Sequence, residues 1–202
     1  MTKKTTAILF AVAAIAIAAV LSLALIVGVW VVSDSSVEPT GEKETAEAAE
    51  ALLARPTLES SVDQVRSVVE QIAAAGSEID PRLQFRWIRE SSSVDCAKPF
   101  DGTNGKVAHL RDLYADAVVP EISWSEFLER ARKIAATVGA TTSEVMADTP
   151  AEGDRPASHD VWFTSADGII IKVASKRATV ISGSTGCRLK GSDFSSPIRP
   201  KP

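Results

Sequence analysis

No cysteine follows the one long apolar run of this chain, which closes "LALIVGVWVVSDSS". A secreted precursor that receives a lipid ends its apolar segment at a cysteine, and Ser33 and Asp34 stand there instead. Other residue types are scarce as well. The 202 residues hold two cysteines, two histidines and one tyrosine, which leaves little material for a zinc site or a histidine-rich centre. There is no G-x-S-x-G stretch, hence no sign of a nucleophile elbow. "SGSTGC" is rich in small residues but lacks the lysine and spacing of a phosphate loop, and it more simply ends a strand. Basic residues are not clustered. From Ser33 onward 26 acidic residues face 20 Lys and Arg. That balance argues against a sequence-independent nucleic-acid binder, which needs clustered cations to neutralise phosphates.

What is present begins with the apolar run itself. Ala7 to Val32 contains no charge over 26 residues. About 20 helical residues span a bilayer core, and a signal-peptide apolar region is roughly 7–15 residues long. The length favours a retained signal-anchor over a cleaved secretory signal. Lys3 and Lys4 precede the run and Asp34 and Glu38 follow it, so the positive-inside rule places the N-terminus in the cytoplasm and the rest outside. The expected organisation is a stub and transmembrane helix over 1–32, an acidic linker over 33–56, one domain over 57–190 and a disordered tail over 191–202. Within the linker, Glu42 to Ala54 has the composition of a weak helix, and its acids read as a solvated face rather than a metal site.

The domain reads as α+β. "SSVDQVRSVVEQIAAA" (60–75) sets Val62, Val65, Val69 and Ile72 at helical spacing, with Ser60 or Ser61 as cap and Gly76 as stop. "PRLQFRWIRE" alternates, with Leu83, Phe85 and Trp87 on one face of a half-buried strand. "SWSEFLERARKIAATVGA" predicts a second helix, opened by a Ser123/Glu126 capping box and closed at Gly139. "TTSEVMA", "HDVWFTS", "GIIIKVAS" and "RATVISGS" predict strands, with a hairpin turn at Ala166-Asp167-Gly168. Two helices beside a mostly antiparallel sheet follow.

Outside the cytoplasm, Cys96 and Cys187 are most simply a disulfide. In the chain-entropy view, closing a loop of about 90 residues is worth about 4.5 kcal/mol. The order of these pieces — helix, "RLQFRW", Cys96, "GATTSEV", "DVWF", "GIIIKVA", "ISGSTGCRL" — resembles the LppA-like family of actinobacterial lipoproteins across about two thirds of the chain. The resemblance implies a cell-envelope location and carries over no catalytic residues. The chain departs from that family's pattern at the absent lipid-accepting cysteine.

Candidates for chemistry are few. Ser158, His159 and Asp160 adjoin in sequence, whereas a triad converges from separate elements. Neighbours along a strand point to opposite sides, so the set reads as coincidence. His109, His159, Cys96 and Cys187 lack the close pairing of structural zinc sites. No metal or other cofactor is expected. Trp124 and Trp87 fall on buried faces. Trp162 lies opposite Val161 and Phe163 in its strand and is the aromatic expected to meet a ligand or partner. The expectation is a non-enzymatic envelope accessory protein, held to the membrane by its N-terminal helix, that binds another envelope protein and no nucleic acid. A module for a small apolar or lipid-like ligand is the alternative, and a hydrolase relying on His159 is a remote third.

Overall fold

The computed structural model describes residues 39–199. The transmembrane helix expected within 1–32 lies outside the described residues. Among the described residues no helix is long and apolar enough to cross a membrane.

The described residues form three α-helices and eight strands, in order α1 (Glu42–Leu53), α2 (Leu58–Ile79), β1 (Arg86–Ile88), β2 (Ser92–Asp95), β3 (Lys106–His109), β4 (Asp112–Ala115), α3 (Glu121–Ala136), β5 (Thr142–Thr149), β6 (Ser158–Thr164), β7 (Ile170–Ser175) and β8 (Thr179–Arg188). The strands form one sheet in the order β1-β4-β8-β7-β6-β5, with β3 also on β8 and β2 on β3. Every pairing is antiparallel. β8 is the spine. It pairs with β7 on one side, and on the other with β4 near its start and β3 near its end. The expected α+β class holds.

α2 and α3 cover one face of the sheet. Val65, Val69, Ile72, Phe127 and Ala131 from the helices meet Phe163, Ile171, Val173 and Ile181 from the strands, all fully or almost fully buried. Inward positions of β6 and β7 alternate with half-buried outward ones, as a sheet with one packed face requires. The approach of α2 to β8 is close: a Cβ on Gly183 would stand 2.5 Å from Val65 Cγ1.

The helix ends differ from expectation. α2 starts earlier, at Leu58, because the Thr57 side chain accepts from the Ser60 amide at 3.2 Å. It runs through Gly76, which gives room for the Phe127 and Phe85 rings rather than stopping the helix. The Ser123/Glu126 capping box does not form. α3 begins at Glu121 behind Pro120, so Ser123 is already inside the first turn with its amide on the Pro120 carbonyl at 2.8 Å. Glu126 pairs with Arg130 instead. Gly139 does close α3. At φ +75° it allows the Ala140 amide to reach the Ala135 carbonyl at 3.2 Å and its own amide to reach Ala136 at 3.0 Å.

A second, smaller cluster sits beneath the other end of β8. Leu52, Leu189 and the two cysteines are buried there, with Phe100, Val107 and Phe194 against them. This cluster changes the reading of both ends of the domain. The stretch read as linker folds from Glu42 into α1, because Ala48, Ala49 and Leu52 have apolar surface to bury. The tail read as disordered is ordered through residue 199. Phe194 covers the cluster, a short 3-10 turn spans Gly191–Asp193, and Asn104 and Arg199 amides bond to Pro197 and Gly102 carbonyls.

Candidate functional site

Cys96 and Cys187 are joined, with Sγ atoms 2.01 Å apart, across 91 positions of sequence. The bond therefore ties the end of β8 to the segment after β2. Beside it lies a charged pair that the sequence does not suggest. Arg188 is 1% exposed. Its guanidinium donates to Ser61 Oγ at 3.1 Å, to the Cys187 and Asp167 carbonyls at 2.8 and 3.0 Å, and to the Asp167 carboxylate. Burial pushes the Arg188 pKa down, against the pull of the Asp167 charge. Arg55 donates to the same two carbonyls and lies over the Phe100 ring. These contacts fix the turn between β6 and β7 to the disulfide.

His159 is 4% exposed. Its Nδ1 is 2.8 Å from Asp148 Oδ1 on β5 and its Nε2 is 3.0 Å from Glu121 Oε2 at the start of α3. The ring stacks on Trp124 at 4.3 Å between centroids. Ser158 and Asp160 are its neighbours on β6, where alternation turns them to the opposite face of the sheet, so Ser158-His159-Asp160 is not a triad. Both ring nitrogens are occupied by carboxylates and one ring face by an indole. A base needs a free nitrogen beside a nucleophile, and this arrangement offers a clamp between α3 and the β5–β6 pair. The imidazole lies between the two carboxylates, and among the described residues no His, Cys, Asp and Glu group is arranged to hold a metal ion.

Trp162 lies on the outward side of β6 and is half-buried. Its indole N–H donates to Asp160 Oδ1 at 2.9 Å, and Lys172 Nζ stands 3.7 Å from the ring centroid. A groove of about 360 Å³ opens along Lys172, Ile170, Val180 and Ser182 of β7 and β8. The neighbouring edge strand β5 leaves Val145 and Met146 exposed, at 58% and 48%.

Trp124 is buried as expected, whereas Trp87 does two things. It packs against the main core and also walls a cleft of about 480 Å³ between α2 and the β1–β4 end of the sheet. The sequence reading misses this cleft, because it is assembled from α2, the β1–β2 connection and the β3–β4 turn, which are far apart in the chain. It also misses Glu121, Asp148 and Asp167. Each is an acid in a polar stretch that looks solvated, and its partner is not a near neighbour in sequence.

The described residues thus define a disulfide-bonded α+β domain, with two helices packed on one face of an antiparallel sheet. The LppA family, described as "Lipoprotein confined to pathogenic Mycobacterium", matches residues 33–191, and the chain belongs to that family. Among solved structures it is similar to the lipoprotein LppA from Mycobacterium tuberculosis, at 13% identity and a TM-score of 0.53, over 80% of this chain and 95% of that one. A DUF4853 family protein from Actinomyces odontolyticus is more distant, at 12% identity and a TM-score of 0.43, over 73% of this chain and 79% of that one. No curated protein matches the chain.

Proposed function

We propose that this is a membrane-tethered protein of the cell envelope whose domain works outside the cytoplasm, without catalysis, by binding another envelope protein. The family's description as a lipoprotein supports the location. A disulfide suits an oxidising compartment. The cysteine count bears on the tether. Both cysteines of the chain are in the disulfide, so neither is free to carry a lipid, and the apolar stretch from Ala7 to Val32 is the remaining candidate.

One observation carries the binding role: the outward, half-buried Trp162, held by Asp160 and Lys172 on the side of β6 away from the Val161 and Phe163 core face. Ordered aromatic anchors are the usual centres of protein interfaces. The test replaces Trp162 with a photo-crosslinking aromatic residue in cells, with the same replacement at the exposed Arg132 of α3 as control. A discrete adduct from position 162 alone is the expected result. Equal or absent adducts at the two positions would remove this face from the function.

A further inference from the structure

We infer that the cleft between α2 and the β1–β4 end of the sheet binds a phosphate head carried on a short apolar body. The cleft does not include Trp162, although it shares His109 and Leu110 with the groove along Lys172, and it stands whether or not a protein docks at Trp162.

The walls divide by chemistry. Val62, Trp87 and Leu110 give an apolar side. Ser91, Ser92 and Ser93 line the polar side, and none of their hydroxyls is hydrogen-bonded among the described residues; Ser92 and Ser93 are successive residues of β2 and point to opposite sides, so at most two of the three face the cleft. The charged or titratable side chains in the lining are Arg66, Arg111 and His109, and no carboxylate is among them. In a chain of net charge −4 a cleft lined by bases alone is a local reversal of sign.

Arg111 is the centre of the argument. Its guanidinium donates to the Arg89 carbonyl at 2.8 Å and to the Trp87 carbonyl at 3.5 Å, and it pairs with no carboxylate among the described residues. The cation is thus oriented by neutral groups, with its charge uncompensated. Arg66, by contrast, is paired with Asp63 at 3.2 Å. The carbonyl that orients Arg111 belongs to a strained residue. Arg89 adopts φ +63°, a conformation few side chains take, and such strain gathers at ligand sites.

The donor set chooses among anions. A guanidinium, an imidazole and two hydroxyls offer more donors than the two oxygens of a carboxylate accept. A phosphate monoester has three terminal oxygens and takes guanidinium in a two-pronged bond. The apolar wall, and a volume within the range of small-molecule pockets, ask for a carbon body as well.

The test uses the full chain in phosphatidylcholine nanodiscs, titrated calorimetrically against empty nanodiscs. The probes are dihexanoyl phosphatidate, dihexanoyl phosphatidylcholine and inorganic phosphate. Saturable one-to-one binding of the phosphatidate is expected, with inorganic phosphate and the phosphatidylcholine each at least about tenfold weaker. Arg111→Gln removes a charged donor and should weaken phosphatidate binding by about tenfold or more. His109→Gln, at an exposed position, should weaken it by about threefold with the fold intact by circular dichroism. Inorganic phosphate binding as tightly as the phosphatidate would show that the cleft takes a free anion and overturn the amphiphile. Absence of saturable phosphatidate binding, or wild-type affinity in both variants, would overturn the site.

Discussion

His159 stacks on Trp124 with ring centroids 4.3 Å apart and planes inclined by 15°. That contact joins β6 to α3, and the Asp148 and Glu121 carboxylates lock the ring in its plane. His159→Ala would leave a cavity against the indole and release the Asp148 and Glu121 carboxylates, both more than half exposed, to water. A loss of about 2–3 kcal/mol is expected in urea unfolding. His159→Phe keeps the stack and should recover part of it. A catalytic base would behave differently, with stability kept and a turnover lost.

Reduction of the Cys96–Cys187 bond opens a loop of 91 positions. Loss of the bond, by the double change Cys96→Ala and Cys187→Ala, should cost about 2–5 kcal/mol. The damage should be local first, since Leu52, Phe100 and Phe194 pack around the sulfurs. Hydrogen exchange should speed up in α1 and in residues 191–199 before it does in α2. In the untreated protein, alkylation should succeed only after reduction.

Asp167→Asn removes the charge partner of a guanidinium that is 1% exposed. Breaking such a pair from one side is costly because the remaining ion stays buried. Asp167 is itself 38% exposed, which puts the expected loss near the lower end, about 3 kcal/mol. Thermal unfolding of Asp167→Asn against Arg188→Met separates the cost of an orphaned charge from the worth of the pair. The second variant should be the milder.

Several carboxylates titrate below their ordinary range. Arg82 holds Asp80 down, Lys106 holds Asp95 down and Arg86 holds Asp116 down, each first by a side-chain hydrogen bond. For Glu59 backbone amides, its own and that of Gly191, have the largest effect. Groups lowered on folding stabilise the native state when ionised. Their contribution is complete above about pH 5 and is lost as the pH falls below about 4, through the folded values. Melting temperature should therefore drop on acidification, and Asp80→Asn should shallow that drop.

β6 and β7 were legible because their alternation is strict and Asp167-Gly168 marks the turn between them, and β8 because its first residues alternate before the strand becomes buried on both sides. β2, β3 and β4 were not. Each has four residues, too few for a period to emerge, and only pairing with β8 or with each other makes them strands. The start of α3 was misplaced because Ser123 and Glu126 satisfy a local rule, while Pro120 and the Glu121–His159 contact set the boundary. Of the site residues, the disulfide and the outward Trp162 could be read from compartment and alternation. Arg188 could not, since nothing near it in sequence says that a guanidinium will be buried. The cleft at Arg111 depends on a backbone turn at Arg89 that composition does not signal.

Thr40 bonds to the Asp101 side chain, and the Arg199 amide bonds to the Gly102 carbonyl. The two ends of the described chain thus leave the domain from adjacent residues of one loop. Such a molecule can be rewired. Its termini can be joined through a short linker and the chain reopened in the exposed stretch around Gly153, giving a circular permutant with the same sheet order. In that molecule any tether would pull from the far side of β5.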